Sequence, residues 1–293
     1  MKNYDLIIAS GATICYNKLA REFCHFKSGG KIDRLIKPNS IESLIICLQN
    51  TDDAIVLGST TNSLISDSGI DNDVILTTGV KGIEVKDCFI TAMAGEMLPK
   101  VCNVAKEYGL SGLEGLCGIP STIGGAVYMN CGAFGYNISD VLYCVNVYDN
   151  GDIKQLTCNE CGFGYRTSNF MQNKMIVLSA TFKLKESNSL LISNNIKFFK
   201  TKRKQSQPND ISLGSVFKKY NDTSAGYYIE NCGLKGASIG GAMVSQKHAN
   251  FIINCGGATS SDYSNLVNLC HDKVLEKYNI NLDREVRYFG KFI

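Results

Sequence analysis

The stretch Gly112–Asp140, GLEGLCGIPSTIGGAVYMNCGAFGYNISD, is the part of the sequence on which the fold depends most. Seven glycines lie between Gly112 and Gly135, and no charged side chain lies between Glu114 and Asp140. Glycine loses more conformational freedom on folding than any other residue, so such a run favours sites where the backbone must approach another group closely. Successive backbone amides can also bind an anion such as phosphate. On composition alone, the stretch predicts either tight turns in a β-rich domain or an anion-binding loop.

The overall composition is that of a globular protein with more than one domain. The chain has 293 residues, of which 44% are hydrophobic and 19% are charged, and this length allows two or three domains. A net charge of +3 gives no reason to expect a nucleic-acid partner. No apolar run reaches the roughly 18 residues of a membrane-spanning helix, and Met1–Ala20 lacks the layout of a signal peptide. We therefore expect a cytoplasmic protein with no membrane partner.

The thirteen cysteines are scattered singly through apolar segments, as small buried hydrophobic residues are. The one close pair, Cys158 and Cys161, forms an isolated CxxC, which is a weak zinc signal. His25, His248 and His271 are too dispersed to complete a site. We predict no metal site.

The hydrophobic pattern predicts short strands and a few helices. The predicted helices are Ser40–Asn50 with Ser40 as N-cap, Leu98–Tyr108, Asn195–Gln205 and Ser260–Tyr278. The predicted strands are Ile32–Pro38, Ala54–Leu57, Met175–Leu184, Phe251–Asn254, the tail Leu282–Phe289 and a hairpin that joins Val141–Tyr148 to Ile153–Thr157 through Asn150-Gly151. The polar segment Glu186–Asn195 predicts a domain boundary. The basic residues that follow it predict either a solvated helix face or contacts to a phosphate-bearing ligand.

Five segments, in this order, resemble the UDP-N-acetylenolpyruvoylglucosamine reductase family. They are GLSGLEGLCGIPSTIGGAVYMNCGAFG (Gly109–Gly135), FGYRTSNF (Phe163–Phe170), LGSVFK (Leu213–Lys218), AGYYIENCGLKGASIGGAMVSQKHANFIIN (Ala225–Asn254) and LDREVRYFG (Leu282–Gly290). The resemblance extends over nearly the whole chain from about Asn17 and is to the shorter form of the family.

The resemblance implies an α+β fold. It consists of a vanillyl-alcohol-oxidase (PCMH)-type FAD-binding module in two subdomains, residues 1–78 and 79–187, followed by an α+β substrate-binding domain, residues 194–293. We expect a monomer.

By the same resemblance, FAD binds non-covalently with its pyrophosphate between two loops of small residues. The implied cofactor residues are Gly58, Ser59, Thr60, Thr61, Asn62 and Ser63 in the first loop, and Gly118, Ile119, Pro120, Ser121, Thr122, Gly124, Gly125 and Ala126 in the second. The family pattern in the first loop is closer to GxGSN. Thr60 therefore occupies a position where the family has glycine.

The implied reaction is the NADPH-dependent reduction of UDP-N-acetylglucosamine enolpyruvate to UDP-N-acetylmuramate, a step in peptidoglycan precursor synthesis. The implied catalytic residues are Ser215 as proton donor, Arg166 against the substrate carboxylate and Glu285 as a protonated or proton-sharing stabiliser of the enolate. Arg203 and Lys218 are implied phosphate partners of the UDP-sugar.

Two alternatives remain open from the residues. One is a flavin oxidase of the same fold, against which the retention of Arg166, Ser215 and Glu285 argues. The other is a paralogue that binds FAD or a UDP-sugar without turnover. Departures from the family pattern at Lys27, Thr60 and Lys219 favour this second alternative.

Overall fold

The computed structural model describes residues 2–292. The helices in this part of the chain are α1 Tyr4–Ala9, α2 Ile41–Gln49, α3 Leu98–Glu107, α4 Ile123–Tyr128, α5 Asn169–Asn173, α6 Ser189–Ser206, α7 Ala225–Asn231 and α8 Ser260–Tyr278. The strands are β1 Thr13–Leu19, β2 Lys31–Lys37, β3 Ile55–Leu57, β4 Ser63–Ile65, β5 Ile70–Leu76, β6 Ile83–Lys86, β7 Phe89–Met93, β8 Leu110–Ser111, β9 Gly132–Ala133, β10 Tyr136–Asn137, β11 Leu142–Asp149, β12 Asp152–Thr157, β13 Ile176–Lys183, β14 Lys185–Glu186, β15 Ser212–Ser215, β16 Ser238–Ile239, β17 Ala242–Val244, β18 Phe251–Asn254 and β19 Arg287–Phe289.

The chain divides into two compact units, each built from three separate segments. Unit 1 consists of Met1–Cys15, Leu35–Ser59 and Asp73–Arg203, and unit 2 consists of Tyr16–Arg34, Thr60–Asn72 and Lys204–Ile293. These limits differ from the boundaries that the sequence predicts near residues 78 and 187–194. The division into three domains stays a prediction.

Unit 1 contains an antiparallel sheet of five strands in the order β12-β11-β13-β7-β6. Helix α3 buries Leu98, Val101, Cys102 and Ala105, which recur at intervals of three and four residues and so share one helix face. This face belongs to the same buried core as Ile123 and neighbouring residues of α4. The glycine-rich stretch is therefore fixed to a rigid part of the unit.

A second, smaller core of unit 1 includes Leu44 and Cys47 of helix α2. The Ser40 Oγ atom accepts a hydrogen bond from the Ser43 N–H at 3.1 Å. This contact confirms the predicted N-cap, because a serine at this position satisfies an amide that the helix leaves unpaired. Near this core, β3 pairs in parallel with β5.

Unit 2 contains a four-stranded sheet in the order β15-β18-β17-β16, and β19 pairs in parallel with β4. Helix α8 begins with a capping box in which Thr259 and Asp262 each bond the other's backbone N–H. Tyr263 of this helix is fully buried and meets Phe26 edge to face, with ring centroids 4.9 Å apart. The core of unit 2 thus joins the two ends of its discontinuous sequence.

The predicted hairpin is confirmed, since β11 pairs with β12 around Asn150-Gly151, both with positive φ. The predicted helix Asn195–Gln205 is longer in the structure, because α6 begins at Ser189 and also includes most of the segment Glu186–Asn195. Ile192 and Ile196 are buried on one face of α6, so packing holds this polar sequence in a helix. In residues 2–292, no helix is long and apolar enough to span a membrane.

Candidate functional site

The second predicted cofactor loop, Gly118–Gly125, leads directly into the short helix α4. Thr122 caps α4, its Oγ1 accepting from the Gly125 N–H at 3.4 Å. The Leu98 N–H donates to the Ser121 carbonyl at 2.9 Å, so the loop is bonded to the start of α3. These contacts fix the loop without a large side chain.

Many amides of this loop already donate within unit 1. The Ile123 N–H donates to the Glu96 carbonyl and the Gly124 N–H to the Ala94 carbonyl, each at 2.8 Å. The Ile119 and Ala126 amides donate to the Leu116 and Thr122 carbonyls. Backbone donors for an anion must therefore come from other positions than these four.

Gly58 and Ser59, the first two residues of the first predicted loop, meet the second loop inside unit 1. The Ser59 Oγ–H donates to the Pro120 carbonyl at 3.0 Å. A Cβ atom added at Gly58 would lie 2.2 Å from the Thr122 Oγ1 atom, which is closer than atoms in contact can be. Glycine is therefore required at position 58.

Arg203, near the end of α6, lies against the start of the second loop. A Cβ atom added at Gly118 would lie 2.6 Å from the Arg203 Nε atom, and the guanidinium carbon is 5.4 Å from the centre of the Phe134 ring. Burial lowers the pKa of this guanidinium, which remains a cation at neutral pH. The structure thus places a positive charge beside Gly118, a contact that sequence patterns did not reveal.

Arg166 projects from a turn and is held by the glycine-rich stretch. It has φ 53°, and the turn is closed by reciprocal backbone bonds between Gly164 and Thr167. Its guanidinium donates to the Asn130 carbonyl at 3.3 Å and to the Gly132 carbonyl at 2.6 Å. The buried Asn130 side chain in turn donates to the Gly164 carbonyl at 3.1 Å. The stretch that carries the second loop therefore also orients Arg166.

The part of the first loop that lies in unit 2 has a backbone conformation that favours glycine at position 60. Thr60 has φ 58°, in the left-handed region that favours glycine. Its buried Oγ1 atom accepts from the His25 N–H at 2.9 Å. The threonine thus keeps the glycine-like conformation, and its hydroxyl bonds it to the segment that contains His25.

Ser215 and Glu285 lie on two segments of unit 2 that meet at an isolated antiparallel bridge between Phe217 and Arg284. The Glu285 N–H donates to the Val216 carbonyl at 2.8 Å, and the Lys218 N–H donates to the Asp283 carbonyl at 2.9 Å. Lys218 thus follows Ser215 along the same paired segment. The structure therefore places three of the predicted site residues on two segments that are hydrogen-bonded to each other.

Asn62 of the first loop is bonded to the segment that contains Glu285 and Arg287. Its side-chain amide donates to the Glu285 carbonyl at 3.2 Å, and its own carbonyl accepts from the Arg287 N–H at 3.0 Å. Ser63 continues this contact, since it is paired with Arg287 in the parallel ladder of β4 and β19. Within unit 2, the predicted cofactor loop and the predicted catalytic carboxylate thus share a hydrogen-bonded framework.

Asn250 is a structural residue of this site that sequence reasoning did not single out as a support. Its side chain accepts from the Phe217 N–H at 3.0 Å and donates to the Phe217 carbonyl at 2.8 Å. The Asn250 N–H donates to His248 Nδ1 at 3.2 Å, and burial lowers the pKa of His248. These contacts indicate that His248 is a hydrogen-bonded structural residue. Residues 2–292 contain no group of three or more His, Cys, Asp or Glu side chains that could hold a metal ion.

Comparison with known proteins gives two family matches. Residues 33–158 match the FAD binding domain family, and residues 207–289 match the family described as UDP-N-acetylenolpyruvoylglucosamine reductase, C-terminal domain. The first match includes Gly58–Ser63 and Gly118–Ala126, and the second includes Ser215, Lys218 and Glu285. The predicted cofactor loops and two of the predicted catalytic residues thus lie within the matched segments.

Relatives and a solved structure match over nearly the full chain. The chain is 39% identical over 290 residues to a UDP-N-acetylenolpyruvoylglucosamine reductase of Clostridium botulinum, covering 97% of this chain and 95% of the relative. It is 43% identical over 263 residues to that of Pseudothermotoga lettingae, covering 89% and 92%. The crystal structure of the Thermus caldophilus reductase matches with a TM-score of 0.82 and 33% identity, covering 95% of this chain and 99% of that chain.

These matches confirm the predicted fold class, an α+β flavoprotein with a vanillyl-alcohol-oxidase-type FAD-binding module. The residues present fit FAD as well. Gly58 permits close contact between the two loops, Ser59 and Thr122 carry hydroxyls, and Arg203 provides a cation at Gly118. A diphosphate needs such donors and positive charge.

Proposed function

The chain belongs to the UDP-N-acetylenolpyruvoylglucosamine reductase family, and from this premise we propose that it reduces UDP-N-acetylglucosamine enolpyruvate to UDP-N-acetylmuramate at the expense of NADPH. It is an FAD-dependent oxidoreductase that acts on a small molecule. FAD, when bound, would supply the redox chemistry, a hydride transfer from NADPH to the terminal carbon of the enolpyruvyl group. NADPH and the UDP-sugar are multiply charged and do not cross membranes unaided, so the proposal places the reaction in the cytoplasm.

Arg166 binds the substrate carboxylate in this proposal. Hydride addition at the terminal carbon leaves negative charge on the carbon beside that carboxylate, and the charge spreads onto the carboxylate oxygens. A guanidinium that stays charged and carries five donors stabilises this species better than a single ammonium. The Asn130 and Gly132 carbonyls support the assignment because they fix the plane of the guanidinium.

Ser215 donates the proton that completes the reduction. The hydroxyl proton moves to the carbon that carries the negative charge, and the resulting alkoxide takes a proton back from solvent-derived acid. Glu285 stabilises the enolate through a proton that it carries or shares, since a bare carboxylate would repel it. Its backbone N–H bond to Val216, the residue after Ser215, supports a joint role.

Positive charge is the basis on which we assign residues to the diphosphates of the UDP-sugar and of the cofactor. Lys218 lies on the same paired segment as Ser215 and is proposed to bind the UDP-sugar. For Arg203, the contact with Gly118 favours an anion bound at the second loop. We therefore extend the assignment of Arg203 from the substrate to the phosphates of the cofactor.

One observation carries the proposal. In unit 2 the Glu285 N–H donates to the carbonyl of Val216, the residue after Ser215, and Asn62 of a predicted cofactor loop donates to the Glu285 carbonyl. These bonds hold the backbones of a hydroxyl residue and a carboxyl residue close to each other and to a predicted cofactor loop, which supports the proposed proton donation and enolate stabilisation.

The test follows the flavin colour under anaerobic conditions. The purified protein should be yellow, NADPH should bleach it, and UDP-N-acetylglucosamine enolpyruvate should restore the colour with formation of UDP-N-acetylmuramate. Colour that returns only with oxygen would identify an oxidase instead. A bleached protein that the enolpyruvyl substrate leaves bleached would contradict the proposal.

A further inference from the structure

Tyr220 of unit 2 lies two residues after Lys218, at a tight turn. Asn221 and Asp222 both have a left-handed φ, of 44° and 62°. Around them, Tyr220 and Thr223 exchange both backbone hydrogen bonds, at 3.0 and 2.9 Å. Two successive left-handed residues form the type I′ turn of a two-residue hairpin, in which asparagine and aspartate are favoured. The backbone of Tyr220 is therefore held in one conformation.

A cluster of tyrosines supports the Tyr220 ring. Its ring and that of Tyr228 are nearly perpendicular, with centroids 6.4 Å apart, and Tyr228 meets Tyr278 edge to face at 5.4 Å. Tyr228 on α7 and Tyr278 at the end of α8 both pack against the core of unit 2. Tyr220 itself is 37% exposed. The cluster thus holds an accessible aromatic ring on a packed base.

The positions of Ser215, Lys218 and Tyr220 along one segment follow the order of the groups in the proposed substrate. That substrate carries an enolpyruvyl group on its sugar, followed by a diphosphate, a ribose and a uracil ring. Ser215 is assigned to the enolpyruvyl group and Lys218 to the diphosphate, so the next group outward is the nucleoside. The five residue steps from Ser215 to Tyr220 span at most about 18 Å, which is the scale of a nucleotide sugar rather than of a single phosphate.

Given the proposed function, on which this assignment rests, we propose that the Tyr220 ring stacks on the uracil ring of the UDP-sugar. A flat aromatic side chain offers the face of a base a large contact area at a low cost in conformational entropy. Such stacking does not depend on the hydrogen-bonding edge of the base. Tyr220 therefore favours a nucleoside diphosphate over a bare diphosphate, and it takes no part in proton transfer.

Tyr227 provides a matched control within the same cluster. Its ring also meets that of Tyr228, with centroids 5.4 Å apart, and it is more exposed than Tyr220, at 60%. It lies on α7, however, and not on the segment that carries Ser215 and Lys218. A general loss of packing in the cluster should affect both positions, whereas stacking on the base should affect Tyr220 alone.

The experiment measures binding to the FAD-loaded protein by isothermal titration calorimetry, with UDP and inorganic diphosphate as probes. Tyr220→Ala should weaken UDP binding about 10-fold, as expected for the loss of one stacked base, and should leave the affinity for inorganic diphosphate unchanged. Tyr220→Phe keeps the ring and should bind UDP like the unmodified protein, as should Tyr227→Ala.

Three results would overturn the stacking role of Tyr220. They are unchanged UDP affinity in Tyr220→Ala, equal weakening of UDP and inorganic diphosphate, and the same loss in Tyr227→Ala. If Tyr220→Ala does not fold, saturation-transfer NMR of UDP on the unmodified protein decides. The uracil H5 and H6 protons should then receive the strongest saturation of all UDP protons, and weak saturation there would also overturn the role.

Turnover separates this assignment from the proposed function. With the enolpyruvyl substrate, Tyr220→Ala should raise KM about 10-fold at unchanged kcat, because the base is bound equally in the ground state and the transition state. If the substrate reoxidises the flavin but Tyr220→Ala leaves KM unchanged, only the stacking role fails. If UDP binding depends on Tyr220 but the substrate leaves the flavin reduced, only the proposed function fails.

Discussion

Thr60 shows how one side chain can retain a backbone conformation that favours glycine. A left-handed φ costs a residue that has a β-carbon roughly 1–2 kcal/mol. Leaving a partly buried amide N–H without an acceptor costs about 1–3 kcal/mol. Because these energies are similar, the hydroxyl that accepts from the His25 N–H offsets the strain at φ 58°. The family pattern could indicate a difference at Thr60, but the compensating contact depends on the fold.

Two substitutions at this position should therefore differ. We expect Thr60→Ala to destabilise the protein by about 2 kcal/mol, because alanine keeps the strain and loses the hydroxyl. Thr60→Gly should cost less, since glycine adopts the left-handed region freely. Urea unfolding of both variants, with Thr60→Ser as a control that keeps the hydroxyl, measures the order. A glycine variant less stable than the alanine variant would contradict this account.

At Ser215 the prediction concerns the rate of one half-reaction. Ser215→Ala should be bleached by NADPH at nearly the normal rate, but the enolpyruvyl substrate should reoxidise it roughly 100-fold more slowly or worse, because the proton donor is missing. Stopped-flow absorbance of the flavin follows both steps. Ser212→Ala, at the other end of the same strand, is the control and should change neither. Equal losses in both steps would assign Ser215 a structural role.

Among the helices, strands and turns, the sequence could predict the features that depend on neighbouring residues. It could not predict those that depend on contacts between residues far apart in the chain. The cap at Ser40 and the hairpin at Asn150-Gly151 are confirmed because short-range geometry determines both. Helix α6 extends further than predicted because buried isoleucines hold a segment of weak helical pattern. The supports at Asn130 and Asn250 bond residues more than thirty positions away, so no local pattern could reveal them.

Asn250 provides a prediction for the ladder that carries Ser215. Asn250→Ala leaves the buried N–H and carbonyl of Phe217 without their partner, and we expect a loss of about 2–4 kcal/mol. Asn231→Ala removes an exposed side-chain bond to the Tyr227 carbonyl and should change stability by less than about 0.5 kcal/mol. Urea unfolding compares the two asparagines. Similar losses would mean that the buried bonds contribute little.

For the whole molecule, His25 and His248 change the pH dependence of stability in one direction and His271 changes it in the other. Burial lowers the pKa of His25 and His248, while bonds to Asn281 and Asp272 raise that of His271. A lowered pKa means that the unfolded chain binds the proton more tightly, so stability is lost as pH falls below about 6.5. A raised pKa has the opposite effect, and its stabilisation is lost as pH rises through the folded value.

The pH window from 7.5 to 5.5 includes the usual pKa of histidine and excludes the carboxylates with lowered pKa, such as Asp262, which titrate below it. We expect the protein to lose stability on acidification, by at most about 1.4 kcal/mol per pH unit for each excess proton. His248→Asn, which keeps an acceptor in place of Nδ1 and leaves the neighbouring Glu230 and Lys235 intact, should lose less. His271→Gln should lose more, because it removes the one histidine that stabilises at low pH. Unfolding free energies at both pH values measure the two differences, and equal or reversed slopes would show that these histidines do not control the response.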